Sequence, residues 1–379
     1  MTKTIQLSIS NAIISGLGLI STIIFQRYVI DEVYGSTVLM LGYASLVISV
    51  VDIGNDAKFL GQERNEKWDK SQIIFVFFRA FALVLLIIGF GVLVDCTLYE
   101  FILFSMTAIT GFLSRFISFS FLYESKISAY FLALMLNVIV KIASLSLIVL
   151  DKENLMFYIL ITILAITIIF LTKLIIKGSG LRAVNKELFG RNDLWYLVYG
   201  GIVVLLVRSE VMILPMAYTP FEIAVFLSLS NLAMALPVIV TNSLFLIGLV
   251  SNEEQSQSHR NVRFILGVVS IIFLLAFMSK FILRTLYGQD WLIYSDMLTT
   301  LFIAHIGGMI FAKLEPYFLR KSIKKAISAR TLQVIVYLVL LLLITKTHIG
   351  LYYVALAVLL NRLFIWIYYT YSYEKNIVR

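Results

Sequence analysis

Cysteine, histidine, proline and charge are all scarce in this chain. A single cysteine, Cys96, among 379 residues excludes an internal disulfide and any multi-cysteine metal site. The three histidines, His259, His305 and His348, are scattered, so no metal-ligand spacing arises and no metal or other cofactor is expected. All four prolines fall in the second half. Charged residues make up only 14%, against about a quarter in a soluble domain of ordinary composition. That deficit, beside 60% hydrophobic residues, excludes a soluble reading. Alternation is missing too. Barrel strands alternate apolar and polar positions over roughly ten residues, whereas "LVLLIIGFGVLV" and "IVYLVLLLLI" are apolar on every side.

What is present is a series of apolar blocks of about 20 residues, the length of a helix crossing ~30 Å of hydrocarbon. The chain therefore reads as an all-α, polytopic membrane protein. Twelve transmembrane helices are predicted, at about 5–27, 37–56, 73–94, 100–122, 129–150, 155–176, 194–217, 223–249, 264–286, 293–315, 331–346 and 349–370. The breaks carry turn and charge signals such as "GQERNEKWDKSQ", "YTPFE" and "YGQDW". Lys and Arg crowd one set of loops about five to one over the other, which holds only Arg27, Lys152, Arg284 and Lys346. The basic loops mark the cytoplasmic side, so both termini are placed in the cytoplasm. The net charge of +9 is then a topology signal, and nucleic acid is not an expected partner. The first segment is too long for a signal-peptide core and lacks a small-x-small cleavage site, so it is expected to be retained as a span.

The longest mid-chain inner loop divides the spans six and six. The expected organisation is an N-terminal six-helix lobe over 1–176, a cytoplasmic linker over 177–193 and a C-terminal six-helix lobe over 194–379. "GSTVLMLGYASLVISVVDIGND" aligns weakly with "EIAVFLSLSNLAMALPVIVTNS". With the same entry orientation, that fits a parallel repeat with pseudo-twofold symmetry about the membrane normal.

Charges inside apolar spans point to function, because an ionised group at mid-bilayer costs ~2.5–3.5 kcal/mol unless it faces water or a partner. Six cations fall there: Arg79, Arg115, Lys141, Arg208, Lys280 and Arg362. Arg79 lies roughly 9 Å from its inner span end. Lys280 is as near an outer one, so reaching the headgroups stands beside a cavity role for both. Lys141 has Asn137 four before it and Ser144 three after, a polar stripe on one face. Arg115 shares its side with Thr107, Gly111 and Ser118, and Arg362 follows Asn361. Lys141, Arg115, Arg208 and Arg362 suit a shared water-filled cavity, with structural ion pairs as the competing account. Arg208 and Glu210 are about 200° apart around a helix and cannot pair along it, so each needs a partner elsewhere. Asp52 and Asp56 close the second span near the inner surface. Cations outnumber acids, which favours an anionic substrate. A diphosphate fits, since guanidinium binds phosphate oxygens bidentately. Pro215 and Pro237 are expected to bend the seventh and eighth spans.

Three stretches carry a family resemblance. The second span, within "FQRYVIDEVYGSTVLMLGYASLVISVVDIGND", ends in Asp52-Ile-Gly54. A basic–acidic pair precedes "VMIL" and then "EIAVFLSLSNLAMALPVIVTNSLF". The ninth span closes on "FILRTLYGQDW". In this order the chain resembles polysaccharide-unit (O-antigen, Wzx-type) flippases of the multidrug/oligosaccharidyl-lipid/polysaccharide exporter superfamily. The resemblance implies a V-shaped pair of lobes in a bacterial cytoplasmic (inner) membrane and alternating access, without enzymatic chemistry. The implied substrate is an undecaprenyl-diphosphate-linked oligosaccharide, drawn from membrane lipid. The diphosphate would meet Arg208, Lys141, Arg115, Arg362 and Arg79. A proton or sodium ion would couple at Glu210, Asp52 or Asp56, and a polysaccharide polymerase is an implied partner. The chain is shorter than typical relatives, and length excludes the fourteen-span lipid II flippases. A multidrug cation antiporter of the same superfamily would want a surplus of acids. A major facilitator carrier would show a Gly-x-x-x-Asp-Arg-like loop, absent from "GNDAKFLGQERNEKWDK". A polysaccharide polymerase would carry a long outer loop with arginines, and no such loop is predicted.

Overall fold

The structure is a computed structural model that describes residues 3–53, 70–94, 96–123, 127–150, 191–250, 258–307 and 323–377. Every regular element among these residues is helical, and no strand occurs among them. The helices are α1 (Lys3–Tyr28), α2 (Asp31–Val51), α3 (Lys70–Leu93), α4 (Leu98–Tyr123), α5 (Ile127–Val149) and α6 (Arg191–Ile213). They continue as α7 (Pro220–Val250), α8 (Ser258–Phe277), α9 (Ser279–Leu286), α10 (295–307), α11 (Ile323–Thr347) and α12 (Tyr352–Ile377). Single 3-10 turns at Leu214–Met216 and Asp290–Tyr294 close α6 and precede α10. The sixth predicted span, most of the 177–193 linker and Asp56 lie outside the described residues.

Local chemistry accounts for the helix ends. Asp31 and Glu32 occupy the first turn of α2, where the positive end of the helix dipole favours acids. The second span therefore starts six residues before the predicted 37 and stops at Val51. Thr97 and Glu100 form a capping box at α4, and Thr219 and Glu222 form another at α7. In each, the threonine hydroxyl accepts from the glutamate N–H while the carboxylate accepts from the threonine N–H. Pro215 sits in the 3-10 turn that ends α6, so it stops that helix instead of bending it. Pro237 lies inside α7.

The ninth predicted span, 264–286, is broken. The apolar stretch Leu266–Phe277 and α9 diverge by 69° at Met278. No proline causes this bend. The freed carbonyl of Ala276 accepts from the Ser279 hydroxyl at 2.7 Å and from Thr299 Oγ1 at 3.3 Å, and such side-chain donors stabilise a bend inside an apolar segment.

Two compact units are distinguished, one joining residues 1–35 to 205–379 and the other comprising 36–204. Residues 36–204 centre on a core built from Ala44, Val47 and Ile48 of α2, Leu83 and Ile87 of α3, Leu103, Phe104 and Ala108 of α4, and Val140 and Leu147 of α5. In the other unit α1 packs along α7, and α11 pairs with α12. An aromatic group of Phe25, Tyr34, Phe221, Tyr287 and Trp291 ties the ends of α1, α7 and α9 together, with Tyr287 stacked on Trp291 at 4.2 Å. Burial lifts the Tyr287 phenol above its ordinary range, and Tyr34 adds to that.

Polarity across these helices is the reverse of a soluble bundle. On α3 the buried stripe is Arg79, Leu83 and Ile87, while Phe78, Phe81, Leu85 and Ile88 are exposed. On α11 the buried stripe includes Arg330, Gln333 and Tyr337, while Leu332, Ile335, Val339 and Leu342 are exposed. Helices that bury charge and expose leucine are compatible with an apolar surrounding. Among the described residues, three helical stretches, Asp31–Val51, Leu194–Met216 and Ile323–Thr347, are long and apolar enough to cross a membrane, and the bent pair around Met278 would be a fourth.

Close backbone approach fixes the α2–α7 crossing at Gly35, where a Cβ would lie 2.6 Å from the Phe221 backbone nitrogen. Small residues at crossings are how helices pack in lipid. Gly35→Ala is expected to lower the thermal stability of the detergent-solubilised protein by about 1–3 kcal/mol. Gly16→Ala, with nothing within 4 Å of its Cβ, is expected to be neutral; equal losses in both variants would remove the crossing as the cause.

Candidate functional site

The buried charges assemble into two clusters, one in each unit, and each gathers around one carboxylate. In residues 36–204 the carboxylate is Asp52, just past the last turn of α2. Arg79 Nη1 donates to its Oδ1 at 3.0 Å, and Arg115 Nη1 reaches its Oδ2 at 3.5 Å. A carboxylate at a helix C-terminus opposes the dipole, and the last carbonyls there lack helical donors. Arg79 answers both needs, because its Nη2 donates to the Ile53 carbonyl at 3.0 Å. The side chains of Arg79 and Asp52 are only 10% and 7% exposed. Arg79 is thus a buried ion-pair partner. The Arg115 side chain keeps 40% exposure.

The second cluster forms in the unit containing residues 205–379. Glu210, on α6, accepts a hydrogen bond from the Tyr337 hydroxyl of α11 at 2.6 Å. The charges of Arg362, on α12, and Arg208 both act on the Glu210 carboxylate. The partner that Glu210 needs is therefore supplied by a different helix, in keeping with the 200° separation from Arg208. Arg362 stands where α10 and α12 almost touch, since a Cβ on Gly307 would lie 3.3 Å from its carbonyl oxygen. The same Arg362 charge acts on buried His305. Among the described residues, two arginines gather at each of these carboxylates.

Lys141 lies half-buried on α5, next to fully buried Val140 and one turn from buried Ser144. Ser144 turns its hydroxyl back onto the Val140 carbonyl at 2.8 Å, so that member of the predicted polar stripe serves its own helix. The side chains of Asn137 and Ser118, and all of Asp56, lie outside the described residues.

Several buried polar groups were not singled out from the sequence. Arg330 is 6% exposed and donates to Gln333 Oε1 at 2.7 Å, and Gln333 is fully buried. The predicted span 331–346 leaves Arg330 outside it, whereas α11 begins at Ile323. With that start, residues 330, 333 and 337 recur at three and four positions and share a face. Gln333 Nε2, Asn361 Oδ1 and His305 Nε2 are buried with no hydrogen-bond partner among the described residues. Such orphans are what ordered water or a polar ligand satisfies. No group of His, Cys, Asp and Glu suited to a metal occurs among the described residues.

Comparison with known proteins finds no family model that matches the chain, no matching curated protein and no matching solved structure.

The two arginines on Asp52 differ in burial, and so should their removal. Breaking a buried pair costs about 3–5 kcal/mol, while a half-exposed contact contributes about 1 kcal/mol or less. Arg79→Ala is therefore expected to lower melting temperature in detergent far more than Arg115→Ala, and Asp52→Asn should reduce the difference between the two. Equal effects of both arginine variants on the wild-type background would contradict the geometry.

Proposed function

We propose that the chain is a twelve-span protein of a bacterial cytoplasmic membrane. Its spans form two six-helix lobes related by a pseudo-twofold axis, with both termini cytoplasmic. It flips undecaprenyl-diphosphate-linked oligosaccharide units by alternating access. The observation that carries this reading is that two arginines gather at each of two carboxylates among the described residues. Asp52 is met by Arg79 and Arg115, and Glu210 faces the charges of Arg208 and Arg362. Among the described residues arginine outnumbers carboxylate two to one in each group, and exposed side chains such as Phe81 and Leu85 on α3 are apolar. A net cation in such surroundings attracts an anion, and guanidinium matches the geometry of phosphate oxygens. A diphosphate at the head of a lipid meets both conditions, because its tail remains in hydrocarbon while its charge enters the protein.

Glu210 and Asp52 have a second part in this reading. A carboxylate held among arginines competes with the diphosphate for the same guanidinium groups. Protonation or sodium binding at Glu210 would release Arg208 and Arg362 to the substrate, which is a direct route to ion coupling. The rival cation antiporter needs the opposite excess, acids over cations.

Arg208→Ala, Arg362→Ala and Lys141→Ala are each expected to cut surface polysaccharide about tenfold or more, the loss of one charge-assisted contact. Protein abundance should stay unchanged, and complete lipid-linked units should collect on the inner leaflet. Normal polymer from all three variants would overturn the cationic site. Single units displayed on the outer face of a deletion strain would indicate a polymerase instead.

A further inference from the structure

The 69° break at Met278 leaves an eight-residue helix with an unusual division of residues. On α9, "SKFILRTL", Ser279 and Leu283 are buried against the protein. Lys280, Phe281, Arg284 and Thr285 are exposed. At 100° per residue these four fill one continuous arc, with the two cations side by side and Phe281 next to them. Phe277 and Phe281, on either side of the bend, are 90% and 62% exposed. No described residue forms an ion pair or hydrogen bond with Lys280 or Arg284 among the contacts observed.

The helix is also fixed in place. Arg27 donates to the carbonyls of Thr285 and Leu286, capping the C-terminal end of α9. Gly288, at φ 105°, turns the chain back so that its N–H meets the Leu283 carbonyl at 3.1 Å. This arc is therefore a rigid, formed surface.

We infer that α9 is an interfacial helix lying along the headgroup layer, where Lys280 and Arg284 hold anionic phospholipid. A spanning α8 tilts about 20° from the membrane normal on average, so a 69° bend brings α9 close to the membrane plane. Phenylalanine below and cations level with the phosphates is the arrangement that holds such helices at the boundary. The choice of a lipid surface over a protein partner rests on that pairing of adjacent cations with flanking exposed phenylalanines. The inference depends on the membrane reading above and is independent of what is transported.

The test uses the full chain with Cys96→Ser, carrying a fluorophore at Phe281→Cys or Ile335→Cys, in phosphatidylcholine vesicles with or without phosphatidylglycerol. Depth-dependent quenching should place position 281 about 5–10 Å into the headgroup–acyl boundary, and position 335 near the bilayer centre. A label at 281 in bulk water, or as deep as 335, overturns the interfacial helix while leaving the membrane reading intact. A label at 335 in water overturns the membrane reading itself. Headgroup-spin-labelled phosphatidylglycerol should enrich about tenfold or more near position 281 over labelled phosphatidylcholine, given two basic residues at the surface. Lys280→Gln with Arg284→Gln should erase that preference; its survival overturns the assignment of lipid to these two side chains.

Discussion

A carboxylate at the C-terminal end of a buried helix carries two penalties, its own desolvation and its repulsion from the helix dipole. Asp52 is in that position, and Arg79 removes both by pairing with Oδ1 while donating to the neighbouring Ile53 carbonyl. Much of residues 36–204 is arranged around that contact. Because Arg79 must face inward, Leu83 and Ile87, four and eight residues on, face inward with it and join the core. Among the described side chains, the opposite face of α3 carries exposed Phe78, Phe81, Leu85 and Ile88. One ion pair thus sets the rotation of a helix, and the rotation decides which surface the unit presents.

Glu210 is handled differently. It lies in the last turn of α6 and is held by a neutral donor, the Tyr337 hydroxyl, with arginine charges from its own helix and from α12. A phenol can stay bonded to a carboxylate in either protonation state, as acceptor or donor. The Asp52 pair has no such latitude, since a protonated Asp52 would leave Arg79 buried without its counter-charge. The structural burden therefore falls on Asp52, and Glu210 is the better suited of the two to change protonation state.

Hydropathy carried the helical class, because uniform apolar blocks leave no alternative to helices. It also placed most boundaries within a few residues. The turn between α11 and α12 falls at His348, with φ 49°, in the gap between the predicted spans 331–346 and 349–370. Where boundaries moved, a local interaction outweighed hydropathy. Asp31 and Glu32 look like loop residues to a hydropathy window, yet they are favourable at a helix N-terminus. Arg330 looks like a loop cation, yet Gln333 accepts its donor inside the bundle. The break at Met278 has no proline or glycine to announce it, and depends on donors from Ser279 and from Thr299.

The sequence by itself determined which residues are charged within apolar spans, and that cations exceed acids there. Period and depth are local quantities, and local quantities can be counted along the chain. Only the tertiary structure decided which charge meets which: Arg79 and Arg115 on Asp52, Tyr337 on Glu210, Arg362 beside His305. Those partners lie 27 to 127 residues apart where a direct bond joins them. Pairing depends on helix rotation and on how closely backbones approach at Gly35 and Gly307. A helical repeat of 3.6 residues orders the side chains around one helix, but it carries no information about the neighbour each face will meet.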